Sequence, residues 1–170
     1  LRGDNVSPFF YALFFVYYVK HLYMIWTEYF RNLANNVKLK SKDNKTQVGA
    51  VIVGEDNEIV STGYNSFPRG LDDTIPERQE RPEKYYWFEH AERNAIYNAA
   101  RIGVSTKGTT MYLSHWFPCA DCARGIINAG ITTIYCDRPA DSTIPSIYPE
   151  SIKRSKEMLL EADVKIVYYD

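Results

Sequence analysis

The residues best suited to chemistry lie in two short motifs, His-Ala-Glu at 90–92 and Pro-Cys-Ala-Asp-Cys at 118–122. One imidazole and two thiolates are three zinc ligands, and a site with three protein ligands leaves the fourth position to water. Zinc lowers the pKa of such a water from about 15.7 to about 7, so a nucleophile forms near neutral pH. The motifs predict a catalytic zinc site held by His90, Cys119 and Cys122. Glu92 follows His90 by two residues, so on a helix the two side chains do not lie on the same face as an i, i+4 pair would. Glu92 is still near enough to the metal-bound water to move protons as a general acid and base.

Helix signals place both motifs at helix N-termini. Pro118 suits the first position of a helix and Gly130 its C-terminal end, so both cysteines are expected in the first turn. From residue 89 the chain shows helical apolar spacing as far as Gly103, which puts His90 and Glu92 at a second N-terminus. The unpaired N–H groups and positive dipole end of a helix N-terminus favour the thiolate that zinc requires.

A structural zinc site and a redox Cys-x-x-Cys pair are the alternatives to a catalytic site. A structural site needs a fourth ligand, and the remaining donors are Cys136, His21 and His115, none paired with another at ligand spacing. Cys136 ends a predicted strand and is expected to be a core residue. The pattern therefore favours three ligands and an open position.

Composition indicates one globular domain and disfavours a polynucleotide as ligand. The 170 residues are 45% hydrophobic and 24% charged, which is enough for a substantial core. A formal net charge of −1 offers no basic surface of the kind that holds polynucleotide phosphates. Two of the three cysteines are committed to metal, which leaves no disulfide framework and predicts a cytoplasmic location.

The hydrophobic pattern predicts an α/β fold. Strands are expected at 47–53, 58–62, 109–113, 131–135 and 164–168, with a helix at 150–162 before the last strand. The first two strands form an antiparallel hairpin, and the later strands, joined through crossover helices, run parallel. The expected architecture is a three-layer α/β/α arrangement of a five-stranded mixed sheet with helices on both faces. Substrate is expected at the edge where strand carboxyl ends meet the two motif helices.

Four blocks of the sequence, in the same order, resemble the cytidine and deoxycytidylate deaminase superfamily, and most of all its deoxycytidylate (dCMP) deaminase family. They are the two zinc motifs extended to 90–96 and 117–122, Thr-Gln-Val-Gly-Ala-Val at 46–51, and Gly-Tyr-Asn-Ser-Phe-Pro-Arg-Gly at 63–70. The zinc motifs match the superfamily signature H-x-E and P-C-x-x-C. The block at 63–70 favours deoxynucleotides. The resemblance runs from about residue 24 to residue 168 and implies a cytidine deaminase-like fold.

The resemblance implies zinc-dependent hydrolytic deamination of a cytosine deoxynucleotide, dCMP to dUMP with release of ammonia. It implies that His90, Cys119 and Cys122 hold one catalytic Zn²⁺ per chain. Glu92 then carries protons from water to the pyrimidine ring and to the departing ammonia, with attack at C4. Some members carry a second, structural zinc, but the loop at 64–89 contains no Cys or His, so one zinc per chain is expected.

The same resemblance suggests residues for substrate binding. Asn65 is similar in position to the Asn that contacts the sugar hydroxyl, and the Ala91 N–H is similar to the group that binds the base. Arg69, Lys42 and Lys45 are candidates for the 5′-phosphate because they are basic and near family blocks; ordinary solvated surface charge is the alternative for them. The resemblance also implies a homo-oligomer and allows an allosteric nucleotide effector.

Other functions stay open at the level of sequence. A tRNA adenosine deaminase uses the same ligands but attacks C6 of a flipped adenine and needs a basic face. Among free substrates, dCTP, cytidine and guanine would be decided by pocket shape. A non-catalytic regulatory paralogue would have no use for Glu92. The charged, proline-broken stretch at 72–87 is expected to be a lid, an oligomer contact or a plain surface loop.

The N-terminus differs in character from the rest of the chain. Residues 9–19 form an unbroken apolar and aromatic run that is too short to span a bilayer, so no membrane attachment is expected. Helical apolar spacing resumes after Met24, where the resemblance also begins. We expect residues 1–23 to be an N-terminal extension and residues 24–170 to be the deaminase-like domain.

Overall fold

Five strands form one mixed sheet in the computed structural model, which describes residues 24–139 and 149–169. The strands are β1 (Gly49–Val53), β2 (Ile59–Tyr64), β3 (Thr110–Leu113), β4 (Thr133–Cys136) and β5 (Lys165–Tyr168). Their order across the sheet is β2-β1-β3-β4-β5. The predicted extension at 1–23 lies outside the described residues.

The strand directions change at β1. This strand pairs antiparallel with β2 on one side and with β3 on the other, whereas β3, β4 and β5 run parallel to one another. The five-stranded mixed sheet with a hairpin start and parallel later strands is therefore confirmed. Strand β1, which lies between β2 and β3, is buried at all five positions, and this explains its unbroken Gly-Ala-Val-Ile-Val sequence.

Helices cover both faces of the sheet, as predicted. The α-helices are α1 (Trp26–Val37), α2 (Lys84–Trp87), α3 (Ala91–Ile102), α4 (Ala120–Asn128) and α5 (Pro149–Glu161), with short 3₁₀ turns at Lys38–Lys40 and Pro76–Gln79. Helix α1 packs on one face, where its Phe30 and Ala34 form a core with Val51 and Val53. On the other face, α3, α4 and α5 share a larger core that includes Ile52 and Met111.

Glycine ends the two motif helices where the sequence predicts it. Gly103 follows α3 with φ of 74°, and Gly130 follows α4 with φ of 73°, both in the left-handed region. The predicted start of α4 is wrong by two residues. Cys119 has extended backbone and is the N-cap, so Pro118 precedes the cap instead of occupying the first helical position.

The predicted strand at 131–135 also begins later in the structure, at Thr133. The N–H of Ile131 donates to the carbonyl of Ile126, which closes the end of α4 before the strand starts. Across the described parts of the chain, none of the helices is long and apolar enough to cross a bilayer.

The sheet and α3 approach each other most closely at Gly63 of β2. A Cβ at this position would collide with the backbone nitrogen of Ala95 and the carbonyl oxygen of Ala91. Both of these groups belong to the helix that carries the first zinc motif. The absence of a side chain at Gly63 therefore sets how near α3 lies to the sheet.

Replacement Gly63→Ala is expected to lower the free energy of unfolding by about 3 kcal/mol, because two backbone groups must move to admit a methyl group. Chemical denaturation monitored by circular dichroism measures the change. Gly125→Ala is the matched control, since its Cβ would meet only side-chain atoms, of Arg93 at 3.4 Å and Ile96 at 3.7 Å, and alanine favours the helix interior. Equal stability of the two variants would contradict this account of the helix-sheet contact.

Candidate active site

The predicted zinc ligands meet where two helices begin. His90 is the N-cap of α3, Cys119 is the N-cap of α4, and Cys122 lies in the first turn of α4. Helices α3 and α4 pack side by side on the same face of the sheet, so their N-terminal ends face a common point. The structure therefore brings the two motifs together through the packing of their helices.

The three donor atoms are spaced as a tetrahedral zinc ion requires. His90 Nδ1 lies 3.5 Å from Cys119 Sγ and 3.4 Å from Cys122 Sγ, and all three donors lie within 4.8 Å of one another. Ligands on one tetrahedral zinc, with bonds of about 2.0 Å to nitrogen and about 2.3 Å to sulfur, are separated by about 3.6 Å. The residues present fit a zinc ion without rearrangement.

Proton affinities at the cluster are mutually perturbed. The hydrogen bond from Cys122 lowers the pKa of the Cys119 thiol to about 4 against the effect of burial, and His90 adds to this. Burial opposes a charged imidazole, but the hydrogen bond with Cys119 and the charge of Glu92 raise the pKa of His90 to about 9. The pKa of the Cys122 thiol is raised, and the largest cause is its complete burial. A zinc ion must therefore displace protons from this cluster on binding.

Glu92 lies beside the cluster and is not part of it. Glu92 is 6% exposed and lies in the first turn of α3, two residues after His90. Burial raises the pKa of the Glu92 carboxyl, and the neighbouring His90 charge opposes that rise. A carboxyl whose pKa is raised toward neutrality is able both to accept and to donate a proton at working pH.

Polar contacts hold the two motif helices in register. The Arg93 guanidinium of α3 donates to the Glu89 carboxylate at 2.5 Å and reaches Asp121, which lies between the two cysteines, at 3.7 Å. Glu89 also accepts the backbone N–H of His90 at 2.9 Å. From α5, the Ser151 hydroxyl accepts the first N–H of α4, that of Ala120, at 3.0 Å. Both ligand-bearing termini are thus tied to neighbouring elements.

A cavity of about 280 Å³ opens on the donors and on Glu92. Aromatic side chains form part of its wall: Phe88, Trp116 and Phe117. Polar side chains also line it: Asp43, Thr46, Asn65, Arg81 and Lys84. A cavity with aromatic side chains and a few placed polar groups is typical of small-molecule recognition.

Comparison with known proteins agrees with this geometry. A family model for the cytidine and deoxycytidylate deaminase zinc-binding region matches residues 24–137, more than half of the chain. The chain belongs to this family. It is accordingly a member of a family of hydrolytic deaminases, and the three donors lie in the region that the family model describes as zinc-binding.

Individual relatives give the same placement. An uncharacterized deaminase of Aliivibrio fischeri is 38% identical over 143 residues, which cover 84% of this chain and 92% of the relative. Human deoxycytidylate deaminase is 43% identical over 117 residues, which cover 66% of this chain and 64% of the human protein. The match thus spans somewhat less than two thirds of the human protein's length.

A solved structure shows the same fold. It is the dCMP deaminase from the cyanophage S-TIM5 in complex with dCMP and dUMP, with a TM-score of 0.68 at 22% sequence identity. The similarity covers 86% of this chain and all of the phage chain. The cytidine deaminase-like architecture expected from the sequence is confirmed.

The other residues suggested by the family resemblance are placed unequally. Asn65 and Ala91 line the cavity beside the zinc donors. Arg69 does not: its guanidinium donates to Asn98 at 2.6 Å, and it lines a separate, smaller cavity of about 130 Å³. Lys42 is paired with Asp73 at 2.6 Å and Lys45 with Glu80 at 2.6 Å. The three predicted phosphate candidates are therefore not lining residues of the cavity with His90.

Sequence reasoning missed several charged residues of the cavity wall, among them Asp43 and Lys84. These two form an ion pair of 2.5 Å, in which the side chains are 3% and 13% exposed. Asp43 Oδ1 accepts the backbone N–H groups two and three residues later, and an aspartate in the polar stretch at 42–46 is a turn signal that the sequence does contain. The partner Lys84 is 41 positions away, so no local pattern identifies the pair.

The ligand set predicts that alanine substitutions of Cys119 and Cys136 have different effects on zinc content. Cys119→Ala is expected to remove a ligand and to lose bound zinc, because two protein donors hold the ion far more weakly than three. Metal content per chain, measured by inductively coupled plasma mass spectrometry, reads this out. Cys136→Ala is the matched control: Cys136 is buried at the end of β4, outside the cluster, and this variant is expected to keep its zinc. Stoichiometric zinc in Cys119→Ala would refute the ligand assignment.

Proposed function

We propose that this chain catalyses the zinc-dependent hydrolytic deamination of a free cytosine deoxynucleotide, dCMP to dUMP with release of ammonia. The observation that carries the proposal is the convergence of His90, Cys119 and Cys122 within 4.8 Å beside the buried Glu92, at the wall of one cavity. Three metal donors next to a proton-transfer group are the equipment of metal-assisted hydrolysis.

His90 Nδ1 and the two cysteine sulfurs would hold the ion. Zinc, when bound, supplies Lewis acidity that makes water nucleophilic near neutral pH. The thiolate character of Cys119 and the helix N-termini at both motifs suit these side chains to a cation. No further protein ligand comes from the described residues, since the cluster found there has three members.

Glu92 performs the proton transfers. Its carboxylate takes a proton from the attacking water and delivers it to N3 of the pyrimidine ring, which makes C4 a better electrophile. The carboxylate then takes the proton of the hydroxyl group newly bonded to C4 and delivers it to the amino group, so that a C4–O double bond forms as the C4–N bond breaks and ammonia leaves. Burial supports this role because the raised pKa of the Glu92 carboxyl reduces the cost of its protonated form.

Ala91 and Asn65 would position the substrate. Ala91 is the first residue of α3, so its N–H has no partner within the helix and is available to a carbonyl oxygen of the base. Asn65 lines the same cavity and would contact the sugar. The aromatic faces of Phe88 and Trp116 suit the sides of a planar ring.

The choice of a deoxynucleotide as substrate is supported by the relatives. Human deoxycytidylate deaminase is 43% identical over the matched region, and the phage enzyme of like fold is described as bound to dCMP and dUMP. Arg81 adds positive charge to the cavity wall beyond the neutralised Asp43–Lys84 ion pair, which favours a phosphate-bearing ligand over a neutral nucleoside.

Assembly, regulation and location remain predictions from the family resemblance and the composition. We propose a homo-oligomer in the cytoplasm, with an allosteric nucleotide effector as a property to be tested in the same assays. The formal net charge of −1 favours a free nucleotide over a polynucleotide as substrate.

Glu92→Gln tests the proton-transfer role. The variant is expected to keep zinc near the wild-type stoichiometry while kcat falls by about 10² to 10⁴, because glutamine cannot exchange protons with the ring or the amino group. Stopped assays of dUMP formation and metal analysis on one preparation give both readouts. The exposed carboxylate of Glu157 provides the control Glu157→Gln, which should leave both quantities unchanged. Loss of zinc from Glu92→Gln would instead make Glu92 part of the metal site.

A substrate panel tests the proposed reaction. Purified protein is incubated with dCMP, dCTP, deoxycytidine, CMP or a tRNA anticodon stem, and ammonia release is measured. We expect the highest kcat/KM with dCMP, because a cavity of about 280 Å³ combines three metal donors, a proton-transfer group and a cationic side chain. A higher value with the tRNA stem, or no turnover of any cytosine compound by zinc-loaded protein, would overturn the proposal.

A further inference from the structure

The Asn65 side chain is almost fully engaged by the protein itself. Its Nδ2 donates to the Asp43 carboxylate at 3.0 Å and to the Thr46 carbonyl at 2.8 Å, and its Oδ1 accepts the Val48 N–H at 2.7 Å. Both N–H bonds of the amide are therefore occupied. One lone pair of Oδ1 is what this side chain retains for a ligand.

These partners allow one orientation of the Asn65 amide. A flipped amide would place its NH₂ group against the Val48 N–H and its oxygen against two acceptors, the Asp43 carboxylate and the Thr46 carbonyl. The flip exchanges three hydrogen bonds for three repulsive contacts at a residue that is 8% exposed. Asn65 can accordingly accept a hydrogen bond from a ligand in the cavity, and it has no N–H left to donate.

Asp43 is the residue that enforces this orientation. Its Oδ1 accepts the backbone N–H groups of Lys45 and Thr46 at 2.8 and 2.9 Å, and its Oδ2 accepts Asn65 Nδ2 and the Lys84 ammonium. Four donors saturate a carboxylate that is 3% exposed. The carboxylate fixes the turn before β1 and, through it, the Val48 and Thr46 groups that Asn65 also uses.

We infer that Asp43 is a positioning residue that makes Asn65 an obligate hydrogen-bond acceptor for the sugar hydroxyl of the substrate. The inference rests on the proposed function, because dCMP carries a single free sugar hydroxyl, at C3′. A hydroxyl donates, so it matches the lone pair of Asn65, whereas a phosphate oxygen or a base carbonyl finds no donor there. Asp43 touches the substrate only through Asn65.

Asp43→Asn removes this control with a minimal change of shape. The new NH₂ group would face Asn65 Nδ2 and the Lys84 ammonium, so donors would meet donors and the Asn65 side chain would be pushed out of its position in the cavity wall. The preference for a 3′-hydroxyl should disappear with it. A residue that served only to stabilise the fold would change binding of every ligand by the same factor.

The test compares dCMP with 2′,3′-dideoxycytidine monophosphate, which lacks the 3′-hydroxyl. Both are titrated by isothermal calorimetry into zinc-loaded Glu92→Gln protein, where turnover does not consume the ligand. We expect the parent to bind dCMP about tenfold more tightly, the typical value of one well-placed hydrogen bond in a buried site. In the Asp43→Asn, Glu92→Gln double variant, the ratio of dissociation constants should fall to about 1.

Two further variants keep the result interpretable. Asp73→Asn is the matched control, since Asp73 is also an aspartate paired with a lysine, Lys42, but it lines the smaller cavity and leaves the ratio unchanged. If Asp43→Asn does not fold, Asp43→Asn with Lys84→Gln removes the unpaired ammonium, and Lys84→Gln alone is its reference.

Each outcome of this experiment has one meaning. A ratio that falls with Asp43→Asn and persists with Asp73→Asn supports the inference. A parent without hydroxyl preference, or an Asp43→Asn variant that keeps the full ratio, overturns it. Since the ratio is a binding quantity, it stands apart from the turnover of dCMP by the wild-type protein, which tests the proposed function separately.

Discussion

The structure depends on the meeting of two helix N-termini at one point. His90 caps α3 and Cys119 caps α4, so two of the three metal donors belong to N-cap residues, and the third, Cys122, lies in the first turn of α4. The N-terminal N–H groups of both helices face the same small volume and favour negative charge there. Two thiolates and a developing anion on a substrate are the charges that this arrangement suits.

Side-by-side packing of the two helices is what holds that point in place. Ala91, Ala95 and Ala99 of α3 are fully buried against the sheet, and Gly63 of β2 admits the helix backbone at contact distance. On α4, Gly125 faces the stem of Arg93, whose guanidinium then binds on both sides of the ligand cluster. Gly63 and the buried alanines therefore set how closely α3 packs on the sheet, and the packing of α3 beside α4 places His90 next to the two cysteines.

One cavity contains two sets of groups. Glu92 and the donor cluster are suited to protons and metal, whereas Asp43 and Asn65 form a network in which each polar atom has an assigned partner. The segment between β2 and α3 contributes Lys84, which pairs with Asp43 across 41 positions of sequence. Three residues of the stretch at 72–87 line this cavity: Arg81, Lys84 and Tyr85.

Much of this could be predicted from residue types and spacing. Donor identity and spacing indicate a three-ligand zinc site, glycine marks the ends of α3 and α4, and the hydrophobic pattern locates the hairpin of β1 and β2. The phosphate candidates show the limit of such reasoning. Arg69 is basic and near a family block, but its position depends on the side on which the chain leaves β2, and it binds Asn98 away from the main cavity. The Asp43–Lys84 pair was missed for a related reason, because its partners are brought together only by the folded chain. The start of α4 was misplaced because a proline before an N-cap and a proline at the first helical position look alike in sequence.

The most direct test of the central claim is X-ray absorption spectroscopy at the zinc edge of protein purified without added metal. The three-ligand site predicts one zinc per chain with two sulfur neighbours at about 2.3 Å and light-atom neighbours at about 2.0 Å, of which one is the His90 nitrogen. The spectrum of the Cys122→Ala variant should lose the zinc signal. A first shell of three or four sulfurs, or protein that contains no zinc while folded and active, would contradict the account.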